Sequence, residues 1–575
     1  MDTHDLIIRD GTIVDGSGRE PFRADVAVRG GRIADIGAVN GVGREEINAC
    51  GYLVTPGFVD LHTHYDGQIT WSNELSPSTN HGVTTIVAGN CGVGFAPCRE
   101  QDHDAQIDLM SGVEDIPEIV MSEGLPWKWR TYPEFAAFLA SRSYDVDVAS
   151  LLPHSALRVF VMGERALRRE PATEADVEEM ARLTREAIDV GALGFATSRM
   201  LQHKSAHGQS IPTARAAERE LTGIALAMEE AGVGVFQIAS DFGLYTDIEG
   251  EFEMFRRIVE TSGRPIFFSL NQKHHAPDDW KELLSLAASA NEAGLEIRAQ
   301  VMGRPTGLLL GHELTKNPFS ELPSYQPLKA LRFQERIAAL RDPALRAGLV
   351  AEVEALPEAR QPVYRQLFLL AENPDYEQPP ESAVFELAHA QGISPSAFTY
   401  DALLENEGRA VILEAVQNYA EGSLEAPLAM MRDPNTILGL GDGGAHMGLI
   451  CDASWPTTML AFWTRDRTRG ERLSLPWAIK AMTLDNARAY GLNDRGRVAV
   501  GLKADLNVID YSRLNLKRPE VQYDLPAGGR RIVQRADGYV ATIVSGVVTR
   551  REGVATGALP GGFVKGPQPL PHVAA

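Results

Sequence analysis

The chain has 575 residues, 44% hydrophobic and 23% charged, with a formal net charge of −22. That is an ordinary globular composition, enough for one large barrel with an accessory domain or for two to four smaller domains. The acidic balance argues against nucleic acid or an anionic membrane surface as partners, because both need basic patches. No apolar run reaches the ~20 residues of a membrane span, and Met1-Asp2-Thr3-His4-Asp5 lacks the regions of a signal peptide. Four scattered cysteines, Cys50, Cys91, Cys98 and Cys451, are too few for a disulfide framework, so a cytoplasmic location is expected.

From the N-terminus, Leu6-Ile7-Ile8-Arg9, Thr12-Ile13-Val14 and Asp25-Val26-Ala27-Val28 are short apolar runs between Asp-Gly and Gly-Gly turn signals, and they read as strands. Residues 504–510 and 539–544 read the same way, so both ends of the chain are expected to build one small β-domain, residues 1–56 plus 497–550. The rival reading is a separate β-domain at each end. Between them, eight strand-like runs (57–64, 82–91, 147–153, 192–198, 233–240, 265–271, 295–301 and 436–442) alternate with helical patterns. Glu174–Val190, Arg215–Ala231 and Trp280–Ala293 are the clearest helices. The expected fold class is therefore α/β, a (β/α)8 TIM barrel over residues 57–496, with its site at the C-terminal strand ends.

Two segments exceed minimal strand-to-helix loops. Residues 92–146 follow the second strand; residues 303–435 separate the seventh and eighth and read mainly as helices, Leu328–Leu340 and Ala344–Leu356 among them. Such insertions build a wall or lid, or else decorate an outer or oligomer-contact surface. Residues 551–575 are Gly/Pro-rich and read as a loose or draped tail.

The chemistry concentrates at strand ends. Gly57-Phe58-Val59-Asp60-Leu61-His62-Thr63-His64 closes an apolar run with two histidines two residues apart, which a strand projects to one face. Paired imidazoles begin a divalent-metal site. Cys91, after Gly89-Asn90 at the end of the neighbouring strand, offers a thiolate to the same ion or is a small buried apolar residue. Thr436-Ile437-Leu438-Gly439-Leu440-Gly441-Asp442 ends the last strand on a carboxylate.

The segment from Thr55 to His64 resembles the first-strand signature of the amidohydrolase superfamily. Gly82–Gly92, ending Gly89-Asn90-Cys91-Gly92, resembles the D-aminoacylase (N-acyl-D-amino-acid deacylase) branch. The resemblance implies a β-sandwich beside the barrel, a zinc ligand at Cys91, and a catalytic role for Asp442, which would contact the metal, take a proton from water and return one to the leaving amine. It implies a hydrolase of carbon–nitrogen bonds other than peptide bonds, acting on N-acyl D-amino acids or related small amides. A cyclic amide, carbamate or lactone hydrolase, and a degenerate barrel serving as a scaffold, are the alternatives. A homo-oligomer is left open.

The chain departs from the family pattern at the fifth and sixth strands, where Ala239 and Leu270 stand in place of ligand histidines. One zinc held by His62, His64, Asp442 and Cys91 is therefore expected rather than two. His274 and His275 are candidate replacement ligands, as are His203 and His207. Arg158, Ser198, Arg199, Asn271, Gln272 and His446 are candidate substrate contacts; either arginine could read a carboxylate bidentately or form a structural ion pair.

Overall fold

The computed structural model describes residues 3–244 and 246–571, and the chain is mixed α/β. Eight short parallel strands form its centre. Phe58–Asp60, Val83–Ala88 and Asp147–Ser150 pair in that order. The third resumes as Leu152–Pro153 beside Gly194–Ser198, and the series runs on through Val235–Ala239, Ile266–Ser269, Ile297–Val301 and Thr436–Leu438. Beyond the strand ends the eighth returns to the first: Asp442 N donates to His62 O at 3.1 Å, and His64 N donates to Gly443 O at 2.8 Å.

Successive strand residues point to opposite faces. Val59, Val87, Ala149, Ala196, Val235, Phe267 and Ile437 share one cluster with Tyr490 and Leu492. Their neighbours Phe58, Ile86, Phe236, Ile238 and Phe268 pack with the helices on the other face. Coverage on both faces explains why these strands read as continuous apolar runs. Each fully buried side chain of this size contributes roughly 1.5–3 kcal/mol. The intervening helices are Glu174–Asp189, Glu218–Ala231, Ile248–Ser262 and Asp279–Glu292. The first starts at a capping box in which Thr173 and Asp176 satisfy each other's backbone N–H groups.

A nine-stranded mixed sheet joins both ends of the chain. Leu506–Ile509 lies between Leu53–Pro56 and Tyr539–Val544, and Thr3–Ile13 pairs with Phe22–Arg29, Val42–Asn48 and Leu53–Pro56. Buried Asp147 ties this sheet to the third central strand, with Arg495 Nη1 at 2.6 Å and Lys503 Nζ at 2.5 Å. Within the C-terminal part, the hairpin Glu520–Leu525 and Gly529–Val533 lies outside that sheet, and Ile532 N donates to Met447 O at 2.7 Å. Gly561, Phe563 and Gln568 bridge to Tyr144, Val148 and Leu492, which drapes the tail across the body.

The segment 92–146 carries the helices His103–Glu114, Glu118–Gly124 and Tyr132–Ala140. The segment 303–435 corrects the helical expectation in part. Alongside Phe333–Leu340, Pro343–Glu354, Val384–Gln391 and Pro395–Leu403 it holds an antiparallel sheet of Thr306–Leu310, Ile412–Gln417 and Leu367–Leu369. These strands are short and pair with partners far away in sequence, so local periodicity could not reveal them.

Candidate metal centre

The first strand ends at Asp60, so His62 and His64 lie just beyond it rather than on it. The two backbone bonds from the loop after the eighth strand hold this segment extended, and Thr63 bridges Gly443 in parallel. The same bonds bring Asp442 opposite the two imidazoles. Asn90 staples the second strand to this segment, its Nδ2 donating to Leu61 O, Thr63 O and Val87 O. Cys91 follows with a φ of 52°, and Leu440, Asp442 and His446 also have positive φ. Non-glycine residues in that region cost about 1–3 kcal/mol each and gather where a site over-determines the backbone. Gly92 is required here: at φ 69°, a Cβ would stand 2.7 Å from Thr197 Cα.

Ligand atoms of His62, His64 and Cys91 all lie within 4.8 Å of one another, the one such grouping among the described residues. Cys91 Sγ is 3.5 Å from His62 Nε2. Asp442 Oδ1 is 3.4 Å from His62 Nε2 and 3.7 Å from His64 Nε2. Both Nε2 atoms therefore face one shared point. The opposite edge of each ring meets an acceptor. His62 Nδ1 is 2.8 Å from Gln300 Oε1, and Gln300 Nε2 donates to Tyr490 Oη, which fixes the amide's orientation and sets the His62 tautomer. His64 Nδ1 is 3.4 Å from Glu114 Oε1.

Burial and the mutual contacts of the cluster set its protonation. Burial pushes His62 down to about 4, so its imidazole is neutral and free to ligate. Burial would also lower His64, but the charge of Glu114 and the Asp442 and Cys91 contacts raise it well above its usual value. Burial alone would raise the Asp442 carboxyl, yet the His64 hydrogen bond and the His62 charge hold it below the usual carboxylate range. Burial lifts Cys91 to about 11 and Glu114 to about 7. Two imidazoles, a thiol and a carboxylate pointing inward are a nitrogen, sulfur and oxygen donor set that fits zinc.

A cavity of about 360 Å³ opens over this cluster. Its wall includes His203, Asn271, His274, His275 and His446, and also the apolar Ala239 and Leu270. Thr306, Val416 and Gln417 show that the long insertion supplies part of the wall. His203 is neutral, pushed to about 3 by burial, and its Nδ1 is 2.9 Å from Ser198 Oγ. A larger cavity, about 570 Å³, lies away from the cluster beside the Glu520–Val533 hairpin; its cations Arg409, Lys517, Arg518 and Arg535 are each ion-paired.

Several expected contacts are corrected. Arg158 is buried and committed to Glu220 at 2.8 Å, with further bonds to Pro212 O and Glu170 O, so it has no hand free for substrate. Arg199 pairs with Glu251 at 2.6 Å. Ser198 backs His203 without lining the cavity, and buried Gln272 is held by Asn418, Ala420 and Pro277. His274 Nε2 donates to Ala415 O at 2.8 Å, and neither it nor His275 joins the ligand group. His207 pairs with Asp108 at the surface. Asn271 reaches the cavity with its Oδ1 already accepting from Asn418 and Thr306.

Four residues were not anticipated. Gln300 and Gln237, whose Oε1 accepts from Cys91 N, are polar residues inside apolar runs, and that was a readable signal. Glu114 comes from the insertion, and nothing local marks it. Lys273, the one Lys or Arg among the described cavity residues, directs its ammonium at Phe242 O and Asp279.

Residues 45–550 match the model of the amidohydrolase family. The chain belongs to this family. Among curated members, an N-acyl-D-glutamate deacylase of Alcaligenes xylosoxydans xylosoxydans is 26% identical over 88% of this chain and 87% of its own. A D-aminoacylase of the same organism is 34% identical over 34% of this chain and 37% of its own. A family structure, N-acyl-D-glutamate deacylase from Bordetella bronchiseptica complexed with zinc and a phosphonate inhibitor, superposes with a TM-score of 0.65 at 20% identity, covering 98% of this chain and 100% of that one. No helix of the described residues is long and apolar enough to cross a membrane.

Proposed function

We propose that the chain is a (β/α)8 barrel, residues 57–496, flanked by a β-sandwich from 1–56 plus 497–550, and that it hydrolyses the amide bond of a small N-acyl amino acid. The observation that carries this reading is the convergence of His62 Nε2, His64 Nε2, Cys91 Sγ and Asp442 Oδ1 on one point at the floor of a cavity. We read one zinc rather than two, supported by the apolar Ala239 and Leu270 on the cavity wall. The names of the curated relatives support a D-amino acid, and four free thiols support a reducing, cytoplasmic setting.

These four residues would hold a zinc ion, which would supply Lewis acidity and lower the pKa of water toward 7. The protein does the rest. Asp442 stays ionised beside the two histidines, and its carboxylate accepts a proton from the attacking water on the oxygen not turned to the ion, then returns it to the departing nitrogen. Gln300 and Glu114 keep the imidazoles turned so that their Nε2 atoms face inward. Lys273 is the cavity's cation, and to read a substrate carboxylate its ammonium would exchange Phe242 O and Asp279 for the substrate.

A panel of N-acyl-D-, N-acyl-L- and cyclic amides tests this reading. Turnover of an N-acyl amino acid with release of the free amine supports it. Turnover confined to cyclic amides, carbamates or lactones would move the substrate class.

A further inference from the structure

Glu114 ends the helix His103–Glu114, which belongs to the segment 92–146, yet its side chain is only 1% exposed and reaches the metal centre. Its two oxygens meet two different histidines. Oε1 is 3.4 Å from His64 Nδ1, the ring edge turned away from Asp442, and Oε2 is 3.5 Å from His446 Nε2. His446 N also donates to Glu114 O. His446 and Asp442 share one loop, so a single carboxylate spans the two sides of the site.

The contrast with His62 sharpens the point. His62 Nδ1 is hydrogen-bonded to a neutral amide, Gln300, whereas His64 Nδ1 makes no hydrogen bond and has the Glu114 carboxylate 3.4 Å away, one small ring rotation from a bond. A carboxylate behind a ligating imidazole fixes its tautomer and raises its basicity as a ligand; a neutral amide does only the first. The neighbouring Asp115 has a different job. Its Oδ2 accepts from Gly448 N at 3.3 Å and Thr315 Oγ1 at 3.4 Å, joining the two long insertions to the loop after the eighth strand.

We propose that Glu114 is a positioning residue for His64, so that the 92–146 insertion is a working part of the metal centre rather than an outer decoration. The proposal rests on the metal reading above. Glu114 acts through His64; it holds the ring with Nε2 toward Asp442 and makes that imidazole the stronger of the two nitrogen donors.

The test compares zinc affinity, by competition with a chromogenic chelator, in the unmodified chain and in Glu114→Gln, Glu114→Ala and Asp115→Asn. Glu114→Gln keeps the shape and the backbone bond to His446 but removes the charge. It is expected to weaken zinc binding about 10-fold, and Glu114→Ala up to about 100-fold. Asp115→Asn, which removes the neighbouring charge but leaves an amide oxygen to accept from Gly448 and Thr315, is expected to stay within about twofold of the unmodified chain. The visible spectrum of the cobalt-substituted protein should shift in Glu114→Gln and not in Asp115→Asn. Zinc affinity and cobalt spectrum unchanged in Glu114→Gln would overturn the proposal, leaving the metal reading intact. Equal losses in Glu114→Gln and Asp115→Asn would also overturn it, reducing Glu114 to one negative charge among several near the site. An unmodified chain that takes up no zinc would overturn both readings together.

Discussion

Asp442 Oδ1 stands 3.4 Å from His62 Nε2, and the backbones of the two residues are joined by the bond from Asp442 N to His62 O. The carboxylate is thus aimed by main-chain pairing between the first and last strand ends, not by side-chain packing alone. Its φ of 45° is a conformation that asparagine also tolerates well.

Asp442→Asn should therefore fold normally and lose turnover by about 10²–10⁴-fold, the range of a positioned acid–base group. Steady-state rates beside a melting curve check this. Near-normal activity would remove Asp442 from the proton transfer.

Lys273 gives a second test. Replacing it with Met should raise KM for N-acyl amino acids about 10–100-fold, the loss of a charge-assisted hydrogen bond worth about 1.5–3 kcal/mol. The corresponding uncharged amides or esters should be unaffected. A fall confined to kcat, or one shared by uncharged substrates, would contradict a carboxylate-reading role.

Asp147 sets a prediction about stability. Burial would raise its pKa, but Lys503 and Arg495 pull it down to about 2 from an ordinary 3.8. The folded value is the lower one, so the stability this group lends is present above about pH 4 and is lost as pH falls toward 2. Asp147→Asn should lower stability at neutral pH by about 3–5 kcal/mol, because buried Arg495 and half-buried Lys503 lose a partner. The variant should also show a shallower loss of Tm between pH 4 and 2 than the unmodified chain. Equal melting curves at pH 7 would show that Asp494 and Asp505 suffice for Arg495 and Lys503.

The strand series and the residues proposed as ligands just beyond its ends were legible in the sequence because both are local. Phe58-Val59-Asp60-Leu61 needs no distant information to read as a covered strand, and the His62, His64 pair follows at once. What surrounds the ligands was not legible. Gln300 meets His62 across 238 positions of sequence, and Glu114 arrives from an insertion whose fold no periodicity specifies. Arg158 stayed open between two readings for the opposite reason. A buried arginine looks alike from the sequence whether it faces a substrate or a structural glutamate, and only the position of Glu220 decides.

The central claim is tested most directly by the metal content of the purified chain and of His62→Ala, measured by plasma mass spectrometry after dialysis against metal-free buffer. The account predicts about one zinc per unmodified chain and a large loss in the variant, since one of four donors is gone. Less than about 0.2 ion per chain with no activity gained on adding zinc, or a content unchanged by His62→Ala, would contradict it.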